Sequence, residues 1–127
     1  MATVLDVSGA AYPAERDGQK ITPPEGISLR PAFAGKPLAR TQPLVWEHEG
    51  NRAIREGDWK LVAKGPAASS ELYDLAADRT ELHDLASAEP ERVQDLAAKW
   101  NAWAKRANVL PWPWDGESTR KSGKLLE

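Results

Sequence analysis

Leu44-Val-Trp-Glu-His-Glu-Gly-Asn-Arg-Ala-Ile-Arg-Glu-Gly-Asp-Trp-Lys-Leu-Val-Ala63 is the stretch from which the fold is read. Leu44, Trp46 and His48 alternate with Val45, Glu47 and Glu49, the period of a strand. Gly50 breaks that run. Arg52–Arg55 and Trp59–Ala63 then follow, joined through Glu56-Gly57-Asp58, a hairpin connection with a glycine free to take positive φ. Trp59 and Leu61 share one face. After a small polar loop at 65–70, Glu71-Leu-Tyr-Asp74 reads as a fourth strand. Four short strands so close in sequence favour an antiparallel meander.

Downstream, Asp78-Arg-Thr-Glu81 has the form of a capping box, and a helical turn there would carry Leu82 and Leu85 inward. The clearest helix runs from about Pro90 to Ala107. Val93, Leu96, Ala97, Trp100, Ala104 and Ala107 fall on one stripe. Glu89 and Glu91 suit its N-terminus, and Lys105 and Arg106 its C-terminus. Such a stripe can cover one face of a small sheet, at roughly 1.5–3 kcal/mol for each large side chain buried. The expectation is therefore an α+β fold: a small four-stranded antiparallel sheet packed against a C-terminal amphipathic helix, with Trp46 or Trp59 touching Trp100.

Upstream the chain changes character. Six of its ten prolines precede residue 44. Residues 3–9 read as a short helix closed by Gly9, too short to be stable alone. Ser28–Gly35 can form one turn, with Ser28 as N-cap, Pro31 in the first turn and Gly35 as terminator. Between Tyr12 and Pro43 no period holds. So long an irregular, Pro-rich lead suits a segment laid across another domain better than a free-standing module. At the other end, Leu110-Pro-Trp-Pro-Trp114 is extended by its prolines, and Trp112 and Trp114 are expected to strap the tail back onto the sheet. Residues 115–127 are polar and expected to be disordered.

With 127 residues there is room for one small domain plus connecting segments. The formal net charge of −2 gives no field that would draw the chain to nucleic acid or an anionic membrane. The chain has no cysteine, which excludes disulfides, cysteine-ligated zinc and thiol catalysis. His48 and His83 stand far apart with no metal-ligand spacing, so no metal site is expected. Trp100 and Trp103 read as core, and Lys60 as a strand residue with a snorkelling stem.

The segment Trp46–Val62 resembles the C-terminal region of arylsulfatase-type sulfatases, with their W-E-x-x-G-x-R-A-[VI]-R-x-G-D-W-K-L pattern. The likeness continues in Glu71-Leu-Tyr-Asp-Leu75, in Asp78–Glu81 with Asp84-Leu-Ala86, and in Glu89-Pro90 before the helix. Upstream, Thr3–Gly9 is similar to the helix that closes the family's catalytic domain. Gly26-Ile-Ser-Leu29 with Pro31 and Gly35 is similar to its G-x-S-L-x-P-x-L-x-G.

The resemblance implies residues 1–43 as the end of a catalytic domain and a connecting segment, 44–114 as the C-terminal subdomain, and 115–127 as tail. It implies a sulfatase, hydrolysing sulfate esters through a formylglycine hydrate made in a C/S-x-P-x-R motif and a Ca²⁺ held by Asp and Asn. Neither that motif nor an Asp-Asn pair is in this chain, so no catalytic or metal-binding residue is carried over. Both groups are expected in the parent's catalytic domain. That domain is the expected partner, joined in the same polypeptide, and residues 3–38 would lie along the junction. A separated chain would leave Val4, Leu5, Val7, Ile27, Leu29 and Phe33 to self-associate or lose order. The compartment is not readable from the chain; the resemblance accords with a periplasmic or secreted parent.

In the family the first strand lies near the mouth of the cleft. This makes His48, Glu49, Asn51 and Arg52 the candidate substrate-binding residues, with His48 able to donate to a sulfate or hydroxyl. Cross-strand ion pairing among Glu47, Glu49, Arg52 and Arg55 is the competing explanation of those charges. An independent small binding or structural module with no enzymatic role is the competing reading of the whole chain.

Overall fold

The strand periods after residue 43 and the helical period after Pro90 are both realised in the computed structural model, which describes residues 1–65 and 68–109. The chain divides into two units, Met1–Thr41 and Gln42–Glu127.

In the second unit β3 (Leu44–His48), β4 (Asn51–Glu56), β5 (Trp59–Ala63) and β6 (Glu71–Asp74) form an antiparallel sheet in sequential order. Two-residue turns set the register. Glu49 and Gly50, at φ 50 and 90, link His48 to Asn51 as opposed partners. Gly57, at φ 60, begins the turn that pairs Glu56 with Trp59. The register aligns Val45, Ile54, Leu61 and Leu72 across one face. α3 (Pro90–Arg106) packs on that face through Leu96, Trp100 and Ala104, and Val93 and Ala97 pack partly buried beside them. This is the expected α+β architecture. Ala107, placed on the stripe by its spacing, is instead the exposed C-cap residue.

Trp100 is 5% exposed, and its indole N–H donates to the Trp46 carbonyl at 3.1 Å. The expected contact with Trp46 is thus made to its backbone, while the Trp46 side chain lies on the opposite face. Trp59 joins the core on the helix side and lies under the Arg92 guanidinium at 4.1 Å. At the other edge of the sheet, the Leu72 N–H donates to Asp84 Oδ1 at 2.9 Å and its carbonyl accepts from Leu85 N at 2.8 Å. The 84–85 segment therefore closes the edge at that point.

The 78–81 segment departs from the expected helical turn. Asp78 Oδ2 accepts from the N–H groups of Leu82 and His83 rather than from Glu81. Glu81 sits at φ 58, and its carboxylate turns to Lys60 Nζ at 2.6 Å instead of back to Asp78. Released from a helical turn, Leu82 stands 75% exposed; Leu85 does pack against the core. Of the proposed cross-strand ion pairs, Glu47 and Arg52 are opposed, but Arg55 lies between Leu44 and Lys60.

The first unit holds α1 (Ala2–Ser8), ended by Gly9 at φ 70, and α2 (Arg30–Phe33). The N-cap of α2 is Leu29, one residue beyond the expected Ser28. Ser28 is engaged otherwise: its hydroxyl donates to Asp6 Oδ2 at 2.6 Å and accepts from Arg30 N. Asp6 also meets Arg30 Nη1 at 3.3 Å, and these donors hold its carboxyl below the usual carboxylate range. The two helices are tied by polar contacts, while Val4, Val7 and Phe33 stay exposed. A small hairpin not expected from the sequence, β1 (Glu15–Arg16) with β2 (Gln19–Lys20), turns at Asp17-Gly18. Both turn residues have positive φ, the requirement that an Asp-Gly dipeptide signals. Among the described residues no helix is long and apolar enough to cross a membrane. The tail from Leu110 onward, with Trp112 and Trp114, lies outside the described residues.

Candidate functional site

The β3–β4 hairpin brings His48, Glu49, Asn51 and Arg52 together, but they do different things. His48 and Asn51 are opposed on the sheet face away from α3, and Glu49 occupies the turn. Asn51 is engaged at both ends of its amide: Nδ2 donates to the His48 carbonyl at 2.9 Å, and Oδ1 accepts from Gly65 N at 3.1 Å. It pins the hairpin to the loop after β5. Arg52 points to the helix side, its guanidinium 5.6 Å from the centre of the Trp100 ring and within 3.5 Å of the Ala68 carbonyl. The Gly50 N–H donates to Glu47 Oε1 at 3.4 Å. Asn51 and Arg52 thus hold the tip. The exposed His48 imidazole and Glu49 carboxylate have no partner among the described residues and are free to engage a ligand.

The face away from α3 also carries Trp46, Ala53, Arg55, Lys60, Val62 and Tyr73. It is concave. A depression of about 410 Å³ lies between His48, Asn51, Lys64, Ser69 and Glu71. A larger groove of about 710 Å³ runs between Trp46, Arg55, Asp58, Lys60 and the 75–81 segment. Trp46, 48% exposed, borders both. On this face the Tyr73 hydroxyl donates to Glu71 Oε2 at 2.9 Å; that carboxylate, with burial, pushes the phenol up to about 12. Tyr73 is therefore a neutral structural donor at ordinary pH. Arg79 and Glu81, which the sequence offers as part of a capping box and not as site residues, line the larger groove. Only the loop fold brings them beside Trp46.

Among the described residues no three His, Asp or Glu side chains are grouped to hold a metal ion.

The chain matches no family model. It is 31% identical over 121 residues to an uncharacterized sulfatase of Schizosaccharomyces pombe, across 91% of this chain and 22% of that protein. A putative sulfatase from Bacteroides thetaiotaomicron has the same fold, with TM-score 0.60 and 26% identity over 84% of this chain and 24% of its own. A 2-O GAG sulfatase gives the same TM-score, identity and coverage. The chain thus spans between a fifth and a quarter of the length of these proteins.

Proposed function

This chain belongs to the sulfatase family, over the family's C-terminal region, and we propose that it serves a sulfuric ester hydrolase as the subdomain that supports the catalytic domain and shapes substrate access. The observation that carries the second role is the hairpin tip. His48 and Glu49 are exposed and without a partner among the described residues, beside Asn51 and Arg52, which brace the hairpin. An imidazole can donate to a sulfate or hydroxyl oxygen, and a carboxylate can accept from a substrate hydroxyl. Asn51 and Arg52 act as positioning residues.

Formylglycine and Ca²⁺ supply the sulfuryl-transfer chemistry in the family. The residues of this chain do not fit either group. There is no cysteine and no Ser-x-Pro-x-Arg from which the aldehyde could be made. The described carboxylates are not grouped as oxygen ligands for a hard cation. No bond-making step is drawn through this chain, and the chain alone is expected to be inactive.

The test is a pair of substitutions, His48→Gln and Glu49→Gln, made in a protein where this chain follows a catalytic domain. The proposal expects KM for a sulfate ester to rise several-fold with kcat little changed, since uniform binding contacts are lost. Unchanged KM in both would remove the access role. The self-contained core of the second unit would then favour an independent binding or structural module.

A further inference from the structure

Asp17 and Gly18 form the turn of the β1–β2 hairpin, at φ 51 and 76. An aspartyl carboxyl can be attacked by the backbone nitrogen of the following residue, closing a five-membered imide. Three things prevent this in a folded chain. Hydrogen bonds can hold the carboxylate, a bulky following side chain can shield the nitrogen, and packed structure can keep the two apart. Every other described aspartate meets at least one of them. Asp6 is held by Ser28 and Arg30. Asp74 accepts from Ala76 N, Asp78 from Leu82 and His83 N, and Asp84 from Leu72 and Ala86 N. Asp95 pairs with Lys99 inside α3. Asp58 precedes Trp59, in a turn fixed by the four-stranded sheet.

Asp17 meets none of the three. Its side chain is 93% exposed, and its contact with Arg16 Nε, at 3.7 Å, is too long for a hydrogen bond. Gly18 carries no side chain, and nothing lies within 4 Å of where a Cβ would stand, so its nitrogen is unshielded. The hairpin itself is weak. Its strands are two residues long and wholly exposed, so no buried side chain holds it shut. An isolated two-stranded hairpin is marginal in water and opens at little cost. Opening frees ψ of Asp17 to turn the Gly18 nitrogen onto the carboxyl carbon.

We propose that Asp17-Gly18 is a site of spontaneous isoaspartate formation, and thereby a substrate for a methyltransferase that esterifies isoaspartyl carboxyls. The Gly18 nitrogen bonds to Cγ of the protonated Asp17 carboxyl. Its proton and the carboxyl hydroxyl leave as water, and the imide remains. Water then opens the ring at either carbonyl. Breaking the Cγ–N bond returns aspartate. Breaking the bond between the α-carbonyl and nitrogen leaves the main chain running through Cβ and Cγ, with a free α-carboxylate. No oxidant or reductant is consumed. The methyltransferase moves a methyl group from a sulfonium donor to that α-carboxylate. A main chain lengthened by one methylene no longer fits the two-residue turn, so the pairing of Glu15 with Lys20 is lost. The inference stands independently of the sulfatase reading.

The test is prolonged incubation of the full chain in warm neutral buffer. Peptide mapping, with fragmentation that tells isoaspartate from aspartate, locates the product. Methyl transfer from labelled S-adenosylmethionine by an isoaspartyl methyltransferase shows that it is a substrate. Asp115-Gly116 lies outside the described residues, and mapping reads that pair separately. Isoaspartate is expected at Asp17, through an intermediate lighter by one water, and not at Asp6, Asp58, Asp74, Asp78, Asp84 or Asp95. Asp17→Glu would need a six-membered ring and should lose the rearrangement. Asp17→Asn closes the same imide with release of ammonia and should reach isoaspartate faster than the wild type. Absence of isoaspartate at Asp17, equal accumulation at any of the other mapped aspartates, an undiminished rearrangement in Asp17→Glu, or no acceleration in Asp17→Asn overturns the proposal. So does isoaspartate at Asp17 that accepts no methyl group.

Discussion

Replacing Trp100 probes the joint that makes the second unit a fold. Its side chain is 5% exposed between Leu96 and Ala104, with its N–H on the Trp46 carbonyl, the Arg52 guanidinium over its ring and Trp103 at 6.2 Å. Trp100→Ala removes all of these and opens a cavity, a change that costs about 3–5 kcal/mol. A small domain has only about 5–15 kcal/mol in total, so this variant should sit close to unfolding. Trp100→Phe separates the causes. It keeps most of the apolar volume but removes the donor to Trp46, leaving a carbonyl whose lost bond costs about 1–3 kcal/mol. Urea unfolding followed by far-ultraviolet circular dichroism measures both, and avoids the overlapping emission of six tryptophans. The expected order is wild type, then Phe, then Ala, with unchanged m for the Phe variant. A Trp100→Ala loss below about 1 kcal/mol would refute the packing argument, because a collapsed or exposed site is the only way to avoid the cavity term.

Three further outcomes follow from contacts of the same kind. Asp84→Ala strands the Leu72 and Ala86 N–H groups and should lower stability by about 1–3 kcal/mol, whereas Asp84→Asn keeps an acceptor and should lose less; chemical denaturation compares them. The Asp78 carboxyl is held below its ordinary value, first by the His83 N–H and then by the Leu82 N–H and the Thr80 hydroxyl. Its folded-state pKa is depressed, so its contribution is fully present above the unfolded value of 3.8 and is lost as pH falls through the lower folded value. An acid titration of stability should flatten in that window in Asp78→Asn, and an unchanged profile would rule the contact out. Exposed Val4, Val7 and Phe33 predict concentration-dependent scattering by the full chain that disappears when the chain begins at Gln42; identical, strictly monomeric behaviour of the two would contradict it.

What the sequence discloses and what it hides have physical causes. Strand and helix periods are set by which residues must be buried. Trp59 with Leu61 on the sheet, and Leu96, Trp100 and Ala104 on the helix, were legible in this way; which face of β3 meets the helix was not, and it is Val45 rather than the Trp46 side chain. The Asp17-Gly18 hairpin was missed because its strands are two residues long and fully exposed, so no burial pattern exists; only the dipeptide marked it. The Asp78–Glu81 turn departs from a capping box because the Asp78 N–H, which the Glu81 carboxylate would have accepted from, is taken by the Asp74 carbonyl. Lys60, on β5, drew Glu81 away. His48 and Glu49 were legible as part of a polar cluster at the end of the first strand. That Asn51 and Arg52 brace it was not, since their partners, Gly65, Ala68 and Trp100, come from other elements. The groove beside Trp46 was hidden for the same reason.

The central claim is that this chain works as one part of a sulfate-ester hydrolase. Aryl sulfate hydrolysis with Ca²⁺ present, measured on the purified chain and on a protein joining it to a preceding catalytic domain with a Cys-x-Pro-x-Arg motif, tests it most directly. The account predicts turnover by the joined protein and none by the chain alone. Turnover by the chain alone, or a folded joined protein that hydrolyses no sulfate ester, would contradict it.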